Sequence, residues 1–175
     1  MDEIIDIIDE FSGLKTGKTI SKKEAHKNGI WHSSIHLIIV NKDRTKTLFQ
    51  KRCQEKKFFP NTLDIAVGGH ITQGENEICA LERELKEELG LDLRNYKYEK
   101  LCTFKEKLYN NNIKSYEFVH TFIIYDDIDI NEIKLQKEEV EYVKWITKEE
   151  LNKLITNGNV INHKEEYEIL NNILI

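Results

Sequence analysis

The residues in this chain best suited to chemistry are four glutamates within seven positions, Glu82, Glu84, Glu87 and Glu88, offset only by Arg83 and Lys86. At about 100° per residue, Glu84, Glu87 and Glu88 stand at i, i+3 and i+4 and share one helix face. Like charges at that spacing repel. They also lie toward the helix C-terminus, where the macrodipole disfavours anions by roughly 0.3–1 kcal/mol each. Helix stability alone does not select such a pattern. A divalent cation turns the repulsion into coordination, and three convergent carboxylates suit Mg²⁺ or Mn²⁺. Ile78, Leu81, Leu85 and Leu89 fall on a neighbouring arc and predict the buried side, while Ala80 on the acidic face predicts room around the carboxylates. Gly68-Gly69 permits a tight loop with exposed carbonyls, and Gly90 is placed for a left-handed helix end.

The spacing extends beyond the glutamates. Five residues separate Gly69 from Glu75, seven separate Glu75 from Arg83, and the chain then reads Glu84-Leu85-Lys86-Glu87-Glu88-Leu89-Gly90-Leu91. This resembles the signature box of the Nudix hydrolases at all nine defining positions, a specific match. The resemblance implies an α/β fold of the α+β kind, an α/β/α sandwich with a mixed β-sheet. It implies hydrolysis of a nucleoside diphosphate derivative or similar small diphosphate. Glu84, Glu87 and Glu88 would bind Mg²⁺ or Mn²⁺ with the Gly69 carbonyl, braced by Glu75 and Arg83. The metal polarises phosphate and acidifies a water, and one carboxylate takes the proton. Glu84 is the first choice for that base, with Glu139 and Glu141 as alternatives in the late acidic run.

A second resemblance is narrower. AHKNGIWH, KRCQEKKFFPN, GGH and YEF are similar to segments of the isopentenyl-diphosphate isomerase branch of the same fold. That likeness implies a second metal, Zn²⁺ or Mn²⁺, on His26, His32, His70 and Glu117, and diphosphate held by Arg52 and Lys56. Two positions depart from it: Gly68 replaces the branch's proton-transferring cysteine, and Ser115 replaces one glutamate. Glu87 also stands where the isomerases commonly have tyrosine. Loss of the thiol removes one of the two acid–base groups of isomerisation, so hydrolysis leads and isomerase-like activity is the alternative. A non-catalytic diphosphate-binding module is the third reading, but it would tolerate a degraded box, and this box is intact. Phe58 and Phe59 are placed to stack on a substrate ring or to pack; Trp31 and Trp145 read as core.

Elsewhere the 175 residues, 39% hydrophobic and 33% charged, describe one globular domain over 1–175. The net charge of −5 disfavours a nucleic-acid polymer as partner but not a small phosphorylated ligand. No apolar run approaches the roughly 20 residues of a membrane span, and the acidic N-terminus is unlike a signal peptide. Cys53, Cys79 and Cys102, an odd number without paired spacing, suit reduced thiols in a cytoplasmic protein. Family habit suggests a homodimer. Residues 3–9 predict a strand or helical turn, 11–17 a turn, and 18–29 a polar stretch. Strands are predicted at 31–40, 47–52, 63–67 and 139–146, and a hairpin at 96–109 and 115–125. A capping box at Thr147 opens a helix through Ile155, and 163–174 form a last amphipathic helix.

Overall fold

The computed structural model describes residues 2–175. It opens with a hairpin of Ile4–Ile8 (β1) and Lys15–Ser21 (β2), then helix Lys22–Asn28 (α1) and strands Trp31–Val40 (β3) and Lys46–Arg52 (β4). Leu63–Ile65 (β5) and Val67–His70 (β6) deliver the chain to helix Glu77–Leu89 (α2). A long hairpin follows, Tyr98–Asn110 (β7) and Ile113–Tyr125 (β8), and Val140–Thr147 (β9), Lys148–Thr156 (α3) and Lys164–Ile173 (α4) complete the order.

The seven-stranded sheet is built outward from β3, the run whose apolar end is buried on both faces. β3 runs parallel to β8 from Trp31↔Tyr116 to Val40↔Tyr125; its other partners, β4 and β6, are antiparallel, so the sheet is mixed. β3 pairs with β6 over Ser34–Leu37 but meets β4 only at Val40↔Thr47. The sheet therefore forks beside β3, with β4, β5 and β9 on one limb and β6 on the other. Alternation sorts the side chains. Ile35, Leu37 and Ile39 pack with Leu81, Leu85 and Leu89 of α2, while Ile38 and Val40 pack with Leu151 of α3 and Tyr167 and Leu170 of α4. Helices cover both faces, which is the sandwich architecture.

Several local expectations shift. Residues 3–9 resolve as a strand, and the polar stretch 18–29 holds most of β2 and all of α1, capped by Ser21. The strand expected at 63–67 breaks at Ala66 into β5 and β6. The capping box at Thr147 forms, with Glu150 bonding back to the Thr147 amide. On α2 the buried stripe is rotated: Ile78 is 38% exposed, whereas Ala80 is fully buried with Leu81, Leu85 and Leu89. Ala80 therefore makes no open space on the acidic face; it packs α2 onto the sheet. Trp31 is buried, and Trp145 is half-buried against the α2 core. Among the described residues no helix is long and apolar enough to cross a membrane.

Because α2 is held by this stripe, Leu85→Ala should cost about 2–5 kcal/mol through lost burial and an unfilled cavity. Urea denaturation followed by circular dichroism measures it.

Candidate metal centre

The acidic box becomes a site because α2 is fixed at both ends and crossed by one arginine. Asn76 accepts the Cys79 amide at 2.9 Å, and Gly90 adopts φ 69° to end the helix with its N–H on Leu85 and Lys86 carbonyls. Arg83 bonds both Glu75 oxygens, through Nε at 2.7 Å and Nη2 at 2.9 Å. Its Nη1 reaches Glu84 at 2.6 Å and Glu87 at 3.4 Å, and Nη2 also reaches the His70 carbonyl at 3.0 Å. Glu75 is locked further by the Thr72 amide and hydroxyl, and Arg83 above all draws its carboxyl down to about 2.

The three carboxylates are not equivalent. Glu84 and Glu88 are buried, whereas Glu87 is exposed. Burial raises the Glu84 carboxyl, with Arg83 opposing. Burial and the Glu84 charge push Glu88 up more strongly, against Lys56 and a hydrogen bond from Gln50. Gly69 lies under the Glu84 side chain. A Cβ on Gly69 would fall 2.1 Å from the Glu84 carboxyl, so any larger residue would displace that carboxylate from its present place.

The remaining sequence-assigned residues fall around this centre in different ways. Lys56 is largely buried, contacts the Glu139 carboxylate and acts electrostatically on Glu88. Burial first, then Arg52, lowers its ammonium. Arg52 is already engaged: Nη2 donates to the Phe58 carbonyl at 2.9 Å, Nε to the Phe59 carbonyl at 3.2 Å, and Nη1 faces Asp64 at 3.4 Å. It anchors the loop of residues 53–62, in which Phe59 takes φ 46° and Asn61 φ 56°. Phe58 packs on Phe59 and approaches the His26 ring at 5.9 Å. Glu139 is half-buried, and Glu141 is exposed on β9.

On the opposite face of β6, His26, His32, His70 and Glu117 bring one ligand atom each to within 4.8 Å of one another. His32 Nδ1 bonds the Ile30 carbonyl at 2.8 Å, which makes it the protonated nitrogen and leaves the Nε2 lone pair aimed inward. That Nε2 is buried without a partner. The Nε2 atoms of His26 and His70 are 3.1 Å apart. Burial, foremost, holds His26 down to about 4 and His70 well below the ordinary imidazole value. Neutral imidazoles are what a metal requires. Ser115 bonds both His26 and Glu117. At Gly68, a Cβ would lie 3.3 Å from His36 Cδ2, so the ring of His36 crowds the place where the isomerases carry cysteine.

His36 belongs to a second buried cluster, which the sequence analysis did not identify. Its Nδ1 meets Glu166 at 3.0 Å, and Thr121 donates to the same carboxylate at 2.8 Å. His163 is clamped by Glu106 on Nδ1 at 2.9 Å and by Asp64 on Nε2 at 3.0 Å. With both nitrogens donating to carboxylates, His163 has no lone pair for a metal. This cluster is an ion network. Its partners lie 130, 57 and 99 positions apart in the chain, beyond any local spacing signal.

The mixed sheet between helices, with a glycine pressed against an acidic helix, is a Nudix domain: the family model described as NUDIX domain matches residues 31–165. The chain belongs to the Nudix hydrolases, enzymes acting on nucleoside diphosphate derivatives. It is 35% identical over 158 residues to an uncharacterized Nudix hydrolase of Clostridium acetobutylicum, covering 89% of this chain and 75% of that protein. It is 28% identical to isopentenyl-diphosphate Delta-isomerase 2 of Photorhabdus laumondii, over 90% of this chain and 85% of that one. The crystal structure of DR0079 from Deinococcus radiodurans superposes with a TM-score of 0.75 at 20% identity, covering 98% and 99% of the two chains, a likeness of fold.

The ion network has a stability signature. Burial alone would depress His163, but Glu106 and Asp64 raise it well above the usual value; His36 is raised by Glu166 against the same penalty. Asp64 and Glu166 are held below the usual carboxylate range by these histidines, against burial. The histidine contribution is complete below the unfolded imidazole pKa of about 6.5 and is lost as pH rises through the raised folded values. The carboxylate contribution is complete above about 4 and is lost as pH falls through the lowered ones. Urea midpoints should therefore fall on the alkaline side of neutrality. His163→Gln should flatten that fall and cost about 3–5 kcal/mol near pH 6, the cost of stranding a buried partner.

Proposed function

We propose that residues 1–175 act as one domain that hydrolyses, with Mg²⁺ or Mn²⁺, the pyrophosphate bond of a nucleoside diphosphate derivative or a similar small diphosphate. The observation that carries this is the packing of Gly69 against Glu84. It sets the strand that carries the Gly69 carbonyl against Glu84, which Arg83 and Glu75 brace, with Glu87 on the same guanidinium and Glu88 buried one turn further along the helix. That donor set is all hard oxygen and fits Mg²⁺ or Mn²⁺ better than a softer ion. Held by Glu84, Glu87, Glu88 and the Gly69 carbonyl, Mg²⁺ or Mn²⁺ would supply Lewis-acid charge for a diphosphate and make a water more acidic. Glu84 accepts the proton: burial makes its carboxyl more basic than usual, and Arg83 keeps it oriented. Lys56 supplies positive charge beside Glu88, and Arg52 joins it by exchanging loop carbonyls for phosphate oxygens. Glu139, paired with Lys56, and exposed Glu141 are second candidates for the base.

The imidazole cluster supports a second metal, Zn²⁺ or Mn²⁺, on His26, His32, His70 and Glu117. The unpartnered Nε2 of His32 and the neutral rings fit such an ion. This cluster also favours the isomerase-like alternative, and the crowding of Gly68 by His36 weighs against it.

One assay separates these readings. Nucleoside di- and triphosphates, nucleotide sugars, dinucleotides and isopentenyl diphosphate are incubated with the protein and Mg²⁺, and the products identified. Phosphate or pyrophosphate release is expected; dimethylallyl diphosphate would establish isomerisation, and no turnover a binding module. Glu87→Gln and Glu88→Gln should each lower turnover by orders of magnitude with the circular dichroism spectrum unchanged; full activity in both would overturn the site. Elemental analysis should find a transition metal in the purified protein and none in His70→Ala.

A further inference from the structure

Gln50 of β4 faces α2 and is almost completely buried, 1% exposed. Its amide nitrogen donates one proton to the Ala66 carbonyl at 3.2 Å and the other to Glu88 Oε2 at 2.9 Å. A backbone carbonyl and a carboxylate are both acceptors, so the amide can face them only through its NH₂. Ala66 lies at the break between β5 and β6, three residues before Gly69, and Glu88 lies on α2. These are the two halves of the proposed metal centre, and Gln50 is hydrogen-bonded to both across the fork in the sheet.

We infer that Gln50 is a positioning residue for the box metal: its amide fixes the separation between the strand that carries the Gly69 carbonyl and the Glu88 carboxylate. The inference rests on the box reading of the preceding subsection and assigns to it a residue outside the signature. An apolar side chain of the same length would leave two buried acceptors without a donor and free the Glu88 carboxylate to turn. Groups that orient metal ligands typically account for about 10–100-fold in affinity.

The test is Mn²⁺ binding to folded, substrate-free protein, made for each protein with and without His70→Ala so that Mn²⁺ on the imidazole cluster is told apart from Mn²⁺ on the box, by titration calorimetry and by the electron paramagnetic resonance signal of free Mn²⁺. Four proteins are compared: the unmodified chain, Gln50→Met, Glu88→Gln and Leu48→Ala. Leu48 is buried two residues away on the same strand and in the same α2-facing core, so its truncation lowers stability without touching the amide bridge. Gln50→Met should bind Mn²⁺ about 10–100-fold more weakly, and Leu48→Ala should match the unmodified chain. If Gln50→Met fails to fold, Gln50→Asn, which keeps the donors but cannot span both acceptors, is judged by the same criterion. Undiminished affinity in the Gln50 variant alongside loss in Glu88→Gln overturns the inference alone. Equal weakening in Leu48→Ala also overturns it, since packing then suffices. Undiminished affinity in Glu88→Gln overturns the box reading, and the inference falls with it.

Discussion

One arginine makes the acidic helix tenable. Like-charged carboxylates at i, i+3 and i+4, two of them withdrawn from water, repel one another and destabilise the helix that carries them. Arg83 answers from the same helix, with hydrogen bonds to Glu75, Glu84 and Glu87. It also bonds the His70 carbonyl, which ties α2 to the end of β6. The guanidinium therefore compensates charge and sets distance at once, something a lysine with one point charge could not do. Glu75, far below the usual carboxylate range and held by Thr72, is the fixed counterion against which Arg83 is oriented.

The tie to β6 gives that short strand two roles. Toward α2, Gly69 has no side chain because the Glu84 carboxyl occupies the place of one. One residue on, His70 points the other way into the imidazole cluster while its carbonyl accepts from Arg83. Strand alternation thus puts an oxygen-rich group and a nitrogen-rich group back to back across a single layer of backbone. The two sets of donors differ in chemistry, and the intervening sheet keeps them apart.

The box was legible because all its determinants fall between Gly69 and Leu91, where spacing translates directly into helix phase. Even there, the phase was misjudged by part of a turn. Glu84 and Glu88 sink toward the fork between β4 and β6, so α2 rolls, burying Ala80 and exposing Ile78. A glutamate stripe reads as the solvent face in one dimension; a fork in a sheet is a property of three. By sequence Arg52 is a match for a diphosphate holder, and its present partners carry no sequence signal, because they are carbonyls of a loop with left-handed residues at Phe59 and Asn61. Gln50 carries no signal at all by residue type. Its meaning comes from facing two acceptors that belong to different elements.

The C-terminal helix shows how far the foundations of the centre extend. α4 presents Glu166 to His36, whose ring fills the space beside Gly68, and His163 at its start clamps Asp64 and Glu106. Asp64 in turn faces Arg52, which holds the Phe58 and Phe59 carbonyls. A path of charge-assisted contacts, buried at the last helix and half-buried at Arg52, thus runs to the loop beside Lys56 and Glu88. Such groups are costly to bury singly, and each is stable only while its neighbours stay in place. The network therefore acts as a unit. It reaches Arg52 at one edge of the centre and sets the His36 ring close beside Gly68 at the other. The sheet face that carries Gly68 thus holds two buried clusters side by side, the imidazole group and the ion network, while the acidic helix packs on the other face.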